Sequence, residues 1–238
     1  MVTKKQIKLI KSLAFKKNRI KHQLFVVEGH KIVAELLDSN YEIVSLFATI
    51  DWISKNSVNN VIQVTNSDLS RISNQKSPNE VLALVKIKKN QILHLDGITL
   101  VLDNINDPGN LGTIVRACDW FGVKQIICSR DTVDIYNPKV VQSAMGSLLR
   151  INVSYTDLSD YLRNVSKPIY GAYMHGDNIL DMEFPKDLCL IMGNEAHGIS
   201  TEISQYIDYQ SSIRNIGNSA ESLNVAMATS IFLYEISN

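Results

Sequence analysis

The sequence predicts an α/β protein in which a mostly parallel sheet is flanked by helices. From residue 98 onward, apolar segments of strand length alternate with segments whose apolar residues recur at helical spacing. Such alternation is typical of parallel sheets that are covered on both faces. In addition, polar loops that contain glycine follow several of the expected strands, and ligands of parallel sheets bind at that edge.

At 238 residues the chain is long enough for two domains, and its pattern of strands and helices restarts once. The polar segment 91–97 is the expected linker. We therefore expect a small α/β domain at 1–90 and a larger domain at 98–238. In the small domain we expect helices at 4–17, 30–39 and 67–72, and strands at 24–28, 43–48, 61–64 and 81–87.

The larger domain ends in a helix over 225–234. Ser219 or Ser222 is the expected N-cap of this helix, since a serine oxygen accepts hydrogen bonds from the free N–H groups of a first turn. One apolar face of this helix is expected to be buried. The other expected elements are strands at 99–102, 123–128, 149–153, 168–173 and 188–192, and helices at 113–121, 137–148, 158–165 and 200–206.

The net charge of zero hides an asymmetry along the chain. Residues 1–90 contain 15 Lys and Arg against 7 Asp and Glu, whereas 91–238 contain 9 against 17. Residues 1–27 contain eight basic residues and no acidic one. This charge distribution favours a polyanionic partner, and nucleic acid above other polyanions. The alternative is a lysine-rich helix face that is merely solvated.

Several classes of function have no support in the sequence. The three cysteines and five histidines show no spacing typical of a metal site or a disulfide framework, which suits a cytoplasmic protein. No apolar run approaches the roughly 20 residues of a membrane span, and no signal peptide is expected. A dinucleotide-binding glycine motif and a P-loop are both missing from the sequence. We therefore expect no metal and no membrane association.

Three polar loops are the candidate site. The first, 104–112, precedes the helix that carries Arg116; the second is 193–200; the third is 214–222. Glycines in such loops permit close approach of backbone to a ligand. Taken singly, each loop is also compatible with an ordinary turn, and Arg116 with a surface ion pair.

In this order the loops resemble the three signature motifs of the SpoU/TrmH family of RNA ribose 2′-O-methyltransferases. Residues 104–122 (NINDPGNLGTIVRACDWFG) are similar to motif one, 190–200 (LIMGNEAHGIS) to motif two, and 213–235 to motif three. Residues 14–85, which include FVVEGHK, resemble the L30e-like RNA-binding domain that many members carry upstream. The resemblance thus covers nearly the whole chain.

The resemblance implies a fold, a cofactor and partners. The catalytic domain of the family contains a trefoil knot, whose loops bind S-adenosylmethionine, and members are homodimers that methylate ribose 2′-hydroxyls in rRNA or tRNA. By position, the residues expected to bind the cofactor are Ala172, Met192, Gly193, Ile213, Ser222 and Leu223. The residues expected to bind RNA are Lys16, Lys17, Arg19, Lys21, Lys31 and Arg116.

The resemblance also implies catalytic roles. Arg116 matches an arginine proposed as general base, although binding the phosphate and orienting the hydroxyl is an equally good role for a group with a pKa above ~12. Asn110 and Asn224 are expected to hold the loops and the nucleotide, and Glu195 and Ser222 to position Arg116 or its loop.

The sequence departs from the family pattern in motif three. Arg214 replaces the usual proline, and the loop 217–222 is one residue longer than usual. The Arg214 departure keeps a non-catalytic RNA-binding protein as an alternative, and a base methyltransferase of a related knotted family is a separate one.

Overall fold

The computed structural model describes residues 2–89, 91–217 and 222–238. These residues form two compact units. The first contains the described residues up to Lys89 together with Asp134–Leu149, and the second contains the rest. The helices are α1 Lys4–Ser12, α2 Lys16–His22, α3 His30–Leu37, α4 Ile50–Lys55, α5 Asn66–Ile72, α6 Pro108–Trp120, α7 Pro138–Ala144, α8 Leu158–Leu162, α9 Thr201–Ser204 and α10 Val225–Ile236. The strands are β1 Leu24–Glu28, β2 Ile43–Ala48, β3 Val61–Gln63, β4 Val81–Lys86, β5 Ile98–Leu102, β6 Gln125–Ser129, β7 Asn152–Thr156, β8 Ile169–Tyr173, β9 Asp177–Asn178, β10 Leu188–Met192 and β11 Tyr209–Ser212.

The first unit is built on a four-stranded sheet in the order β1-β4-β2-β3. Strand β4 pairs antiparallel with both of its neighbours, and β2 pairs parallel with β3. Apolar side chains from this sheet and from α1 and α5, including Ile10, Phe47 and Leu69, pack into one core. Helix α7 and the 3-10 turn Met145–Leu149 belong to this unit, although they come late in the sequence.

The N-terminal helix ends earlier than its pattern predicts. Instead of one helix over 4–17, the chain forms α1 and α2 with a corner at 13–15. Arg19 stabilises this corner, because its Nη1 donates to the carbonyls of Leu13 and Ala14 at 2.8 and 2.9 Å. Those two carbonyls are therefore occupied by a side chain.

The second unit contains a seven-stranded sheet in the order β7-β6-β5-β10-β8-β11-β9. Every pair in it is parallel, so the carboxyl ends of its strands lie at one edge. The central strand β10 is buried along its whole length. This confirms the parallel α/β architecture expected of the larger domain.

Some boundaries differ from the sequence-based expectations. Helix α6 begins at Pro108 rather than at residue 113, and the expected strand at 149–153 lies at Asn152–Thr156. Three short elements, α4, β9 and β11, were not expected. The strands at 43–48 and 188–192 are confirmed.

Candidate active site

Helix α6 brings the first loop into a fixed geometry. Asp107 is its N-cap, and the Oδ1 atom of Asp107 accepts a hydrogen bond from the backbone N–H of Asn110 at 2.8 Å. Pro108 at the first helical position lacks an N–H that would otherwise need a partner. Asn110 consequently lies in the first helical turn and not in a loop.

A chain of side-chain hydrogen bonds joins the three motifs. The Nδ2 of Asn110 donates to Glu195 Oε1 at 2.8 Å, and the Nδ2 of Asn224 donates to Asn110 Oδ1 at 2.9 Å. Asn110 belongs to motif one, Glu195 to motif two and Asn224 to motif three. Segments far apart in the sequence therefore meet at one amide.

Asn224 also begins the last helix. Its Oδ1 accepts from the backbone N–H groups of Ala226 and Met227 at 3.0 and 3.4 Å, so Asn224 is the N-cap of α10. This corrects the expectation of a serine cap at Ser222; Ser219 lies outside the described residues. The cap fixes the side chain that contacts Asn110.

The motif-two loop closes on itself. Asn194 and Gly198 exchange two backbone hydrogen bonds of 2.9 Å, and Gly198 has a φ of +68°. A Cβ atom on Gly193 would lie only 2.2 Å from the Gly198 carbonyl carbon. Asn194 anchors this loop to the first one, since its Nδ2 donates to the carbonyl of Asn104 at 2.7 Å. Glycine at 193 is therefore a requirement of the loop.

The residues expected to bind the cofactor come from neighbouring strand ends. Ala172 is in β8 opposite Ser211 of β11, and Met192 is the last residue of β10. Because β8 pairs with both β10 and β11, Gly193 and Ile213 follow at the same edge of the sheet. Ser222 and Leu223 are exposed directly before α10.

Arg116 is exposed on α6, and its side chain has no hydrogen bond or ion pair with the residues that the structure describes. It is six residues beyond Asn110, about 9 Å further along the helix axis. The structure therefore joins Asn110, Glu195 and Asn224 directly, whereas it leaves the guanidinium of Arg116 accessible to a ligand.

The expected RNA-binding residues separate into two groups. Lys16, Lys17, Lys21 and Lys31 are exposed. Arg19 is only 2% exposed, and its Nη2 lies 2.5 Å from Asp134 Oδ2. Arg19 cannot reach a phosphate, so its assignment to the RNA-binding set was wrong.

A cavity of about 350 Å³ adjoins the junction of the first two loops. The Asp103 carboxylate is among its lining groups and accepts a hydrogen bond from the backbone N–H of Ser200 at 2.8 Å. Arg130, Asp131 and His197 also line the cavity, and all three residues are exposed. The cavity therefore combines a hydrogen-bonded, buried carboxylate with charged groups that are open to solvent.

The sequence analysis placed Asp107 and Asn194 within the candidate loops without giving either a role, and it left Asp103 outside them. Asp107 could have been found, because an aspartate directly before a proline is a signal for a helix start. Asp103 and Asn194 act through long-range hydrogen bonds, which leave no local pattern.

No group of three or more His, Cys, Asp or Glu side chains that could hold a metal ion occurs within residues 2–89, 91–217 and 222–238. Over the same residues, no helix is both long and apolar enough to cross a membrane.

The fold is that of an α/β protein whose motif loops are hydrogen-bonded to one another at the carboxyl edge of a parallel sheet. The SpoU rRNA Methylase family matches residues 97–234, and the MRM3-like substrate binding domain matches residues 4–83. The chain belongs to the SpoU methylase family.

Named rRNA methyltransferases align with most of this chain. The 23S rRNA (guanosine(2553)-2′-O)-methyltransferase of Bacillus subtilis is 28% identical over 97% of this chain and 95% of its own length. The 23S rRNA (guanosine-2′-O-)-methyltransferase of Blochmanniella floridana is 31% identical over 87% of each chain.

Solved structures agree with this assignment. A TrmH-family protein from Porphyromonas gingivalis superposes with a TM-score of 0.91 at 35% identity, over 99% of this chain and 98% of its own. The AdoMet-bound rRNA methyltransferase of Sinorhizobium meliloti gives a TM-score of 0.88 at 28% identity, over 99% and 95%.

Proposed function

We propose that this protein methylates a ribose 2′-hydroxyl in structured RNA, rRNA or tRNA, with S-adenosylmethionine as methyl donor. The observation that carries the proposal is the hydrogen-bonded junction of Asn110, Glu195 and Asn224. It joins the three family motifs at the carboxyl edge of a parallel sheet, where ligands of such sheets bind. The departures in motif three leave this junction intact.

The residues at this edge fit an adenosine-containing cofactor. Ile213 is half-buried, and Leu223 and Ile216 are 47% and 87% exposed, so apolar surface is available to an adenine ring. Gly193 permits close approach of the backbone to the cofactor, Ala172 and Met192 belong to the strands that end at this edge, and Ser222 offers a hydroxyl. When bound, S-adenosylmethionine supplies a methyl group activated by the adjacent sulfonium charge.

We assign Arg116 the role of binding the phosphate beside the target ribose and orienting the 2′-hydroxyl. Its exposed guanidinium, without a partner among the described residues, supports this role. A guanidinium with a pKa above ~12 keeps its proton at neutral pH. Alignment of reacting groups can contribute ~7–11 kcal/mol. In the transfer the 2′-oxygen bonds to the methyl carbon as the bond from that carbon to sulfur breaks, and the hydroxyl proton leaves to water.

Methyl transfer and cofactor affinity together test the proposal. Arg116→Ala is expected to abolish methylation of rRNA or tRNA isolated from cells that lack the protein, with an unchanged cofactor Kd by calorimetry. Equal loss of both would make Arg116 a structural residue. Resistance of the product to alkaline cleavage identifies 2′-O-methylation and distinguishes it from base methylation. Absence of cofactor binding by the wild-type chain would favour the alternative of a non-catalytic RNA-binding protein.

The first unit is proposed to be an L30e-like RNA-binding domain. The excess of basic residues and the match to a substrate binding domain support this role. Each phosphate contact contributes to the dependence of affinity on salt. Replacing Lys16, Lys17, Lys21 and Lys31 by glutamine is therefore expected to weaken RNA binding and to flatten its salt slope; an unchanged slope would contradict the assignment.

We further propose a homodimer in the cytoplasm. Met227, Ile231 and Tyr234 are 58%, 38% and 59% exposed at three- and four-residue spacing on α10, and Trp120 at the end of α6 is 85% exposed. A second copy of this chain would cover that apolar face. Ile231→Asp should give a monomer by light scattering, whereas Ile50→Asp, at an isolated position that is 55% exposed, should leave the dimer intact.

The trefoil knot is also part of the proposal. Its support is the family membership and the strand order, in which β10 lies between β5 and β8 while β11 lies beyond β8.

A further inference from the structure

The corner between α1 and α2 exposes an aromatic side chain. Phe15 is 63% exposed, and Ile20 of α2 is 58% exposed. The phenyl ring of Phe15 has no ring contact among the aromatic pairs of the described residues. Burial of a phenylalanine side chain is favourable by about 1.5–3 kcal/mol, so contact of this exposed ring with a partner would add to the binding free energy.

The backbone that carries Phe15 is held firmly. Arg19 Nη1 donates to the carbonyls of Leu13 and Ala14, and the Nδ2 of Asn18 donates to the Ser12 carbonyl at 2.9 Å. Phe15 itself donates its N–H to Ser12 and accepts the N–H groups of Asn18 and Arg19. A fixed backbone lowers the entropy lost when the ring binds a partner.

The surroundings of this ring are cationic. Lys16, Lys17 and Lys21 are exposed, and none of them forms an ion pair with the residues that the structure describes. Residues 1–27 contain no acidic side chain. A neutral or basic protein partner would leave these lysines without a counter-charge, whereas an unpaired nucleotide offers both a phosphate for the lysines and a flat base for the ring.

We propose that Phe15 is a stacking platform for an unpaired base of the substrate RNA, with Lys16 and Lys17 binding the adjacent phosphates. The inference rests on the proposed RNA function and adds to it a preference for a single-stranded element, a loop or a bulge, next to the modified region. Sequence-specific proteins commonly recognise RNA at such unstacked bases. Stacking adds affinity without adding to the salt dependence, because no counterion is released.

The experiment measures binding of the full-length protein to two fluorescent RNAs, a stem-loop and a fully paired duplex with the same number of phosphates. Phe15→Ala is expected to weaken stem-loop binding by about 5- to 150-fold, with an unchanged salt slope and unchanged duplex binding. Phe15→Tyr should bind as the wild type does, and Phe15→Leu should behave as Phe15→Ala. In Phe15→Trp, the fluorescence of the introduced indole should be quenched by the stem-loop.

Ile20→Ala is the matched control, because Ile20 is comparably exposed and apolar but has no π face; it should bind as the wild type does. Equal affinity of Phe15→Ala and the wild type for the stem-loop would overturn the proposal. So would wild-type affinity of Phe15→Leu, because the contact would then be apolar and not stacking. Failure of the wild-type chain to bind either RNA would instead overturn the RNA function itself, and the platform with it. A loss of dimer in Phe15→Ala, seen by light scattering, would assign the ring to a second copy.

Discussion

Removal of Asp134 should destabilise the first unit strongly. Its Oδ2 accepts hydrogen bonds from Nε and Nη2 of Arg19 at 2.9 and 2.5 Å. The two side chains are 2% and 15% exposed. Asp134→Ala would leave a buried guanidinium without its counter-ion, and breaking a buried pair from one side costs about 3–5 kcal/mol. In a chain of this size each kcal/mol lowers Tm by about 2–4 °C, so a fall of about 6–20 °C is expected.

The assay is denaturant unfolding combined with a thermal melt. The control is Glu42→Ala, which removes an exposed ion pair with Lys86 in the same unit, where the partners are 54% and 64% exposed. Exposed pairs contribute about 0–1 kcal/mol, so this variant should melt close to the wild type. A double-mutant cycle with Arg19→Met isolates the pairwise free energy.

A loss below about 1 kcal/mol for Asp134→Ala, equal to that of the exposed control, would refute the reasoning. It would mean that water reaches the guanidinium once the carboxylate is gone. A coupling free energy near zero in the cycle would have the same meaning.

Three other perturbations test the site and the core. Gly193→Ala would place a methyl group 2.2 Å from the Gly198 carbonyl carbon, and overpacking of this kind costs about 1–3 kcal/mol. We therefore expect weaker cofactor binding, measured by calorimetry. An unchanged cofactor affinity would show that the loop can move to accept the methyl group. Asn110→Ala removes both hydrogen bonds between the motifs. Misplacement of the motif loops should then lower the rate of methyl transfer by up to about 100-fold, measured with labelled cofactor. Turnover at the wild-type rate would contradict the positioning role of Asn110. Burial raises the pKa of the Cys189 thiol to about 11. The stability that the buried, protonated thiol contributes is therefore fully present below the ordinary thiol pKa. It is lost as the pH rises towards the pKa that the thiol has in the folded protein. The free energy of unfolding should therefore fall above about pH 9 by up to about 1.4 kcal/mol per pH unit. In Cys189→Ala the fall should be smaller. Equal pH dependence of the unfolding free energy in the two proteins would contradict the prediction.

The parallel sheet could be predicted because its strands are locally distinctive. Buried apolar runs such as Leu188–Met192 leave a pattern that does not depend on distant partners. Boundaries governed by side-chain capping were harder. Helix α6 begins five residues before its predicted start, because Asp107 and Pro108 organise a first turn composed of turn-forming residues.

The candidate site was predictable as a set of loops, but not as a network of contacts. The order of the motifs indicated which segments would meet, whereas the bonds through Asn110 join residues 85 and 114 positions apart in the sequence. For Arg19, the sequence pattern predicted an exposed residue, but the structure buries it. In a run of basic residues it has the pattern of a surface cation, and only the folded chain brings Asp134, 115 positions away, to its guanidinium.

The division of the chain into units limits how its parts can be exchanged with those of relatives. The first unit takes Asp134–Leu149 from within the sequence of the second. A hybrid that joins residues 1–90 of this protein to the catalytic half of a relative would import a foreign segment beside Arg19. Unless that segment carries an acidic residue at the matching position, the transplanted arginine would lose its counter-ion. Recombination between members should therefore succeed most often when the N-terminal part and this later segment are inherited together.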